Sequence, residues 1–288
     1  MSEHAKRMKR ELVMKGTILD VYKDTMELPN GKTEEWDFVS HRKGAAAVVA
    51  VREDGKLLMV RQYRNALERM TLEIPAGARD SVTEDTKVCA ARELEEETGY
   101  RSENLSFLLS LRTTVAFCDE FIDVYKDTME LPNGKTEEWD FVSHRKGAAA
   151  VVAVRADGKL LMVRQYRNAL ERMTLEIPAG ARDSVTEDTR VCAARELEEE
   201  TGYRSENLTF LLSLRTTVAF CDEFIDVYLA RDLVKSAQHL DEGEAIDVEA
   251  HDVDELCEMI YAGKIQDSKT VSAILAYKNL LNKDSGKA

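Results

Sequence analysis

The chain has 288 residues, 44% hydrophobic and 33% charged, the profile of a soluble globular protein with enough apolar mass for a real core. Its formal net charge of −14 disfavours binding to nucleic-acid backbones and anionic membranes, yet a small phosphorylated ligand is compatible if arginines or cations reverse the local field. No apolar run approaches the roughly 20 residues that span a bilayer, and no secretory leader or zinc pattern accompanies the five cysteines, so a reduced, cytoplasmic protein is expected.

In chain order, Glu11–Tyr22 reads as a strand. Lys23–Ser40 reads as a hairpin around Leu-Pro-Asn-Gly-Lys. Ala45–Arg52 and Lys56–Tyr63 are β-rich runs around Glu-Asp-Gly, a second hairpin, and Thr71–Ile74 is a short strand stopped at Pro75-Ala76-Gly77. Ser81-Val-Thr-Glu84 has the form of a capping box for a helix over Thr83–Thr98, which Gly99 terminates. Leu105–Thr114 and Phe121–Tyr125 are further strands.

The chain then repeats itself. Lys23–Tyr125 recurs as Lys126–Tyr228, shifted by 103 positions, with differences only at Glu53/Ala156, Lys87/Arg190 and Ser106/Thr209. So little drift implies a recent tandem duplication of most of one domain, giving one head, two bodies and one tail. The tail adds a strand at Ala245–His251 and helices at Val253–Ala262 and Ser268–Leu281. Closing the shortest loop docks it on the second body, opposite the glutamate-rich helix, with docking on the near-identical first body as the alternative. The expected units are a strand and hairpin region at 1–43, a truncated first body at 44–125, a repeated hairpin at 126–146 and a complete domain at 147–288. The uncovered first body exposes apolar sheet. A homodimer, or an intramolecular pseudo-dimer through the two hairpin regions, is the expected assembly.

Within the helix, Glu93, Glu96 and Glu97 stand at i, i+3 and i+4, as do Glu196, Glu199 and Glu200 in the second copy. A glutamate run is usually a solvated face. Three carboxylates on adjoining turns also repel one another unless hard, oxygen-seeking cations such as Mg²⁺ lie between them.

The wider pattern decides between these readings. Glu84, Arg92-Glu93-Leu94, Glu96-Glu97 and Gly99-Tyr100 reproduce the Nudix box, and Glu187, Arg195, Glu196, Leu197, Glu199, Glu200, Gly202 and Tyr203 repeat it. The sequence thus resembles the Nudix hydrolases, which implies an α+β fold, an α/β/α sandwich with a mixed sheet, and hydrolysis of nucleoside-diphosphate compounds with Mg²⁺ (or Mn²⁺ as substitute). The resemblance implies that Glu196, Glu199, Glu200 and the carbonyl of Ala179 ligate metal, with Glu93, Glu96, Glu97 and Ala76 as first-copy equivalents. Glu187 and Arg195, like Glu84 and Arg92, tie loop to helix beside Gly180 and Gly77, and Gly202 and Gly99 end the box. One departure is that six residues, not five, separate Gly180 from Glu187.

Val163-Arg-Gln-Tyr-Arg167, Leu175-Glu-Ile-Pro-Ala-Gly180 and Cys221-Asp-Glu223 are similar to the ADP-ribose pyrophosphatase branch. That similarity implies a small nucleoside diphosphate substrate held by Arg167 and Glu176, or Arg64 and Glu73. Guanidinium forks suit phosphate oxygens. It also implies catalytic carboxylates at Glu223 and Glu199, or Glu120 and Glu96, and adenine stacking across a dimer interface on Trp139 and Phe141 or Trp36 and Phe38. Thr217-Val218-Ala219 replaces the branch's Ser-Pro-Gly marker, which leaves a nucleotide-sugar pyrophosphatase and a non-catalytic ADP-ribose-binding regulator as alternatives.

Overall fold

The computed structural model describes residues 5–112, 116–118, 122–130, 133–144, 146–240 and 244–286. The head forms an antiparallel sheet of Lys6–Lys15, Leu19–Glu27, Thr33–His41 and Ala116–Cys118. The single strand expected over Glu11–Tyr22 is therefore two. The break lies at Gly16, where an added Cβ would collide with the Asp140 carboxylate. That carboxylate, from the second hairpin, accepts the Ile18 and Leu19 N–H groups at 2.8 and 3.1 Å, so the turn is set by a residue 121 positions away from Leu19. The second hairpin pairs Ile122–Glu130 with Thr136–His144. Leu19, Val21 and Val39 of the head bury against Val142, Phe220 and Cys221. The two hairpin regions thus pack together within one chain. On the far side of the head sheet, fully buried Asp24 accepts from Arg10 Nε at 2.6 Å and from Asn168 Nδ2 at 3.3 Å.

The principal sheet belongs to the second body and the tail. Its strands run in the order Arg172–Glu176, Leu160–Arg167, Ala148–Val154, Phe224–Arg231 and Asn207–Arg215, with Ala179–Ala181 and Ile246–His251 attached alongside. Ala148–Ala153 pairs in parallel with Ile225–Ala230, and the other pairings are antiparallel, so the sheet is mixed. Successive side chains point to opposite faces. Ala149, Val151, Ala153 and Leu161 meet Cys192, Ala193 and Leu197, and Ala150, Val152, Leu160 and Met162 meet Leu256, Ile260, Val271, Ile274 and Tyr277. The first group of partners lies on helix α2 (Thr189–Thr201). The second lies on α3 (Val253–Tyr261) and α4 (Ser268–Asp284). Helices on both faces of a mixed sheet make the α/β/α sandwich.

The same residues fold less completely in the first body. Ala45–Ala47 is a strand where the second copy has Ala148–Val154, and Val60–Arg64 stands for Leu160–Arg167. The expected Leu105–Thr114 strand is absent over 105–111, and 113–114 lie outside the described residues. Strand bonds are non-local, and the partner is missing. Asn207–Arg215 pairs with Phe224–Arg231, whereas the first-copy equivalent of that partner enters the Ile122–Glu130 hairpin. Arg112 instead bonds the tail, donating to Gln266 O at 2.8 Å and accepting from Ser268 N at 3.1 Å. Helix α1 (Thr86–Thr98) survives because its bonds are local. Its N-cap is Asp85, accepting from Lys87 N at 2.7 Å, rather than Ser81; Glu84 reaches back to Asp80 N at 2.6 Å.

The tail strand is also held by charge. Arg164 forks onto Glu249 with His251 beside it; the guanidinium bonds, opposed by burial and helped by His251, bring the Glu249 carboxyl down to about 2. A depressed carboxyl stabilises the fold above its unfolded pKa, and this contribution is lost as pH falls through the folded value. Amide exchange in Ile246–His251 should therefore accelerate between about pH 4 and pH 2, and Glu249→Gln should remove that step. An unchanged acid profile in the variant would show that the pair does not hold the strand.

Candidate active site

On α2, Arg195 sits at the centre of the box. Its Nη1 donates to Glu196 at 2.7 Å and Glu199 at 3.0 Å; its Nη2 donates to the Ala181 carbonyl at 2.9 Å and lies 3.5 Å from Glu187. Glu187 in turn accepts from Asp183 N at 2.7 Å, and Arg182 binds the carbonyls of Val185 and Glu187 at 2.7 and 3.0 Å. These bonds close the loop that carries the extra residue. Gly180 lets the helix press its acid against the strand, since a Cβ there would overlap the Glu196 carboxylate. Glu200 accepts the Ala179 N–H at 2.9 Å. Gly202 ends the helix through its N–H to Glu198 O.

Electrostatically the cluster is short of positive charge. Burial pushes Glu196 up to about 7 against the pull of Arg195. Burial, then the neighbouring Glu196, raises Glu200 well above the carboxylate range. Among the described residues no three acids, thiols or imidazoles converge on one point. Glu196 and Glu199 turn to Arg195, and Glu200 turns to the Ala179 amide. Oxygen donors of this kind with a charge deficit fit a hard divalent cation.

Beside the box lies a cleft of about 180 Å³ lined by His144, Arg167, Glu176, Ala179, Glu223 and Lys269 among others. Both Nε and Nη2 of Arg167 are held by Glu176, at 2.8 and 2.7 Å, so the fork expected on a diphosphate is engaged with a carboxylate here. Lys269 joins Glu176 from the other side and meets Asp267 at 2.9 Å. Burial opposes the Glu176 charge, but the two cations outweigh it and hold its carboxyl well below the usual range. Glu223, buried, lies 3.7 Å from His144 Nε2. His144 Nδ1 accepts from Gly147 N at 3.0 Å, which leaves Nε2 facing Glu223. The Thr216 hydroxyl, also lining the cleft, is buried with no hydrogen-bond partner among the described residues.

Lys269, Asp267, His144 and Thr216 were not legible as site residues. Asp267 announces itself only as an N-cap, accepting from Thr270 N at 3.1 Å. His144 carries no motif. Among the described residues of the single chain, no Trp, Tyr or Phe lines the cleft. Trp36 packs on Ala5, Met26 and Leu28, Phe38 lies 4.1 Å under Arg10, and Phe141 stacks on Tyr125.

The first copy repeats the local bonds. Arg92 meets Glu84, Glu93 and Glu96 at 3.4, 2.6 and 3.3 Å; Glu97 accepts from Ala76 N at 3.0 Å; Arg64 forks onto Glu73 at 2.9 and 2.7 Å. An added Cβ on Gly77 would overlap Glu93, and Gly99 ends its helix as Gly202 does. Yet Glu96 and Glu97 are exposed, and one tail gives no second Lys269 or Asp267. His41, the counterpart of His144, stacks on Phe220 at 5.9 Å. Glu120 lies outside the described residues.

A mixed sheet between helices, with the acidic box turned to a cleft, defines a class of hydrolase, and the comparisons agree. The NUDIX domain matches residues 41–146 and again 144–273, and the chain belongs to the Nudix family of hydrolases acting on phosphoric anhydrides. It is 42% identical to the methanol dehydrogenase activator of Bacillus methanolicus over 57% of this chain and 89% of that one. It is also 42% identical to an ADP-ribose pyrophosphatase of Bacillus subtilis over 55% of this chain and 85% of the relative. A solved ADP compounds hydrolase superposes with a TM-score of 0.53 at 22% identity, covering 65% of this chain and all of that one, which speaks for the fold alone.

Proposed function

We propose that the second body with its tail is a Mg²⁺-dependent pyrophosphohydrolase that cleaves ADP-ribose to AMP and ribose 5-phosphate. The observation that carries this is the buried, charge-deficient carboxylate cluster of Glu196 and Glu200 beside a cleft walled by Arg167 and Lys269. Relatives 42% and 32% identical bear the name ADP-ribose pyrophosphatase, which favours this substrate over a nucleotide sugar.

Glu196, Glu199, Glu200 and the Ala179 carbonyl are the groups to hold the cation, Mg²⁺ or Mn²⁺. A bound divalent ion supplies charge stabilisation to a diphosphate and lowers the pKa of an attacking water. Glu223, 3.7 Å from His144, would act as the general base of the reaction. Arg167 and Lys269, balanced at rest by Glu176, present cationic charge to the phosphates, and the free Thr216 hydroxyl offers a donor. The packed hairpin regions serve as an intramolecular pseudo-dimer, so the chain should sediment as a 32.5 kDa monomer.

The relative named as an activator favours a second reading, in which turnover serves to modulate a partner enzyme. Release of AMP from ADP-ribose, set against UDP-glucose as a nucleotide sugar, tests the substrate. No AMP from folded protein would overturn it.

A readout independent of turnover is available. Mg²⁺ at millimolar concentration should raise Tm by several degrees at pH 7.5, and EDTA should reverse the gain, because the cation binds the folded state alone. An equal shift in a variant with Glu196→Gln and Glu200→Gln would place the ion elsewhere.

A further inference from the structure

We infer that the first body is an open seat for the C-terminal segment of a second copy of this chain, residues 224–286. The inference rests on comparing the two copies position by position. Val49, Leu57, Met59 and Leu72 are 48%, 49%, 40% and 58% exposed. Their counterparts Val152, Leu160, Met162 and Leu175 are 0%, 0%, 0% and 5% exposed. None of the three positions at which the copies differ is among these residues. The chemistry of the face is therefore the same, and only its cover differs.

What covers the second face is on the page. Phe224–Arg231 pairs in parallel with Ala148–Val154, Ile246–His251 pairs with Leu160–Arg167, and α3 and α4 supply Leu256, Ile260, Val271 and Ile274. In the first body the parallel partner has gone to a hairpin, and the chain has no second tail.

The seat is nevertheless partly formed. Its opposite face is closed by α1, with Val48, Cys89 and Leu94 buried. Its rim carries the Arg64–Glu73 fork in the geometry of Arg167–Glu176, the pair that Lys269 joins in the second body. Each chain thus holds two seats and one occupant. A segment that fills the first seat has left the second body of its own chain, so filling is an exchange between molecules and the resting monomer keeps the seat open. Exposed apolar area of this extent on one face marks a binding surface, and the second body identifies the partner.

The test adds the isolated polypeptide 224–286, which needs no fold of its own beforehand, to the full-length protein. One segment should bind per chain, and amide exchange over 45–64 should slow by about tenfold or more as the strands complete. Met59→Asp and Leu57→Asp lie at exposed positions, so they should spare the unliganded fold while weakening binding by about tenfold or more. A full-length donor gives an independent reading. A chain carrying both Met59→Asp and Met162→Asp, with both of its own seats spoiled, should form a 1:1 complex with wild type that Met59→Asp in the wild-type partner abolishes.

Failure of both donors to bind overturns the inference. So does binding that Met59→Asp leaves unchanged. Self-association of wild type through two first bodies, removed by Met59→Asp, would replace the segment with a face-to-face pairing.

Discussion

Glu200→Gln should reduce AMP release from ADP-ribose by on the order of 10²–10⁴-fold, while Glu97→Gln leaves the rate unchanged. The two glutamates are hard to distinguish locally. Each follows the same residues, and each accepts an alanine N–H, at 2.9 Å for Glu200 and 3.0 Å for Glu97. Their surroundings separate them. Glu200 is 4% exposed and shares its burial with Glu196, whereas Glu97 is open to solvent on a body without Lys269, Asp267 or a closed sheet. Gln is a near-isostere of the neutral acid towards which burial drives Glu200, so it keeps the bond to Ala179 and should leave Tm unchanged. A large loss of rate at constant stability then reports on the site rather than the fold. Loss with Glu97→Gln alone would move the activity to the first body, and equal partial losses would mean that both bodies work.

Met162→Ala should cost about 2–5 kcal/mol, and Met59→Ala less than about 0.5 kcal/mol. These are the same residue in the same sequence context. Met162 is fully buried beneath the tail helices, and its truncation leaves a cavity that packed neighbours fill only in part. Met59 already meets water, so truncation removes little contact. Urea unfolding measures the difference, with hydrogen exchange assigning each transition to a body, since a chain of this kind need not unfold in two states. Equal costs would show that the first body is covered in solution.

Much of the architecture was legible beforehand, and the reason is locality. The helix over the box needs only its own i to i+4 bonds, a cap at Asp85 or Asp188, and a closing glycine, so it forms in both copies whatever surrounds it. The Asn-Gly turns select their hairpins for the same reason. The cap of that helix was misread, because Ser81 and Glu84 match the capping box while Glu84 closes the preceding turn instead. The spacing of Glu196, Glu199 and Glu200, with the fixed identities around them, pointed to the family.

The cleft was less legible. Lys269, Asp267, His144 and Thr216 come from the tail, the hairpin and a loop, and meet Glu176 and Glu223 only through the fold. Arg167 was read as a phosphate ligand from its place in a motif; its pairing with buried Glu176 across the sheet appears only in the fold.

The sequence by itself determined the duplication, the glutamate-rich helices, the hairpins and the single tail. Only the tertiary structure decided that Ala148–Val154 is a full strand while the identical stretch in the first body stops at Ala47, and that Met162 is core while Met59 is surface. Nearly identical sequences offer the same local preferences, so the difference lies in the supply of partners. Strand bonds and sheet burial come from distant segments, and this chain has enough of them to finish one body.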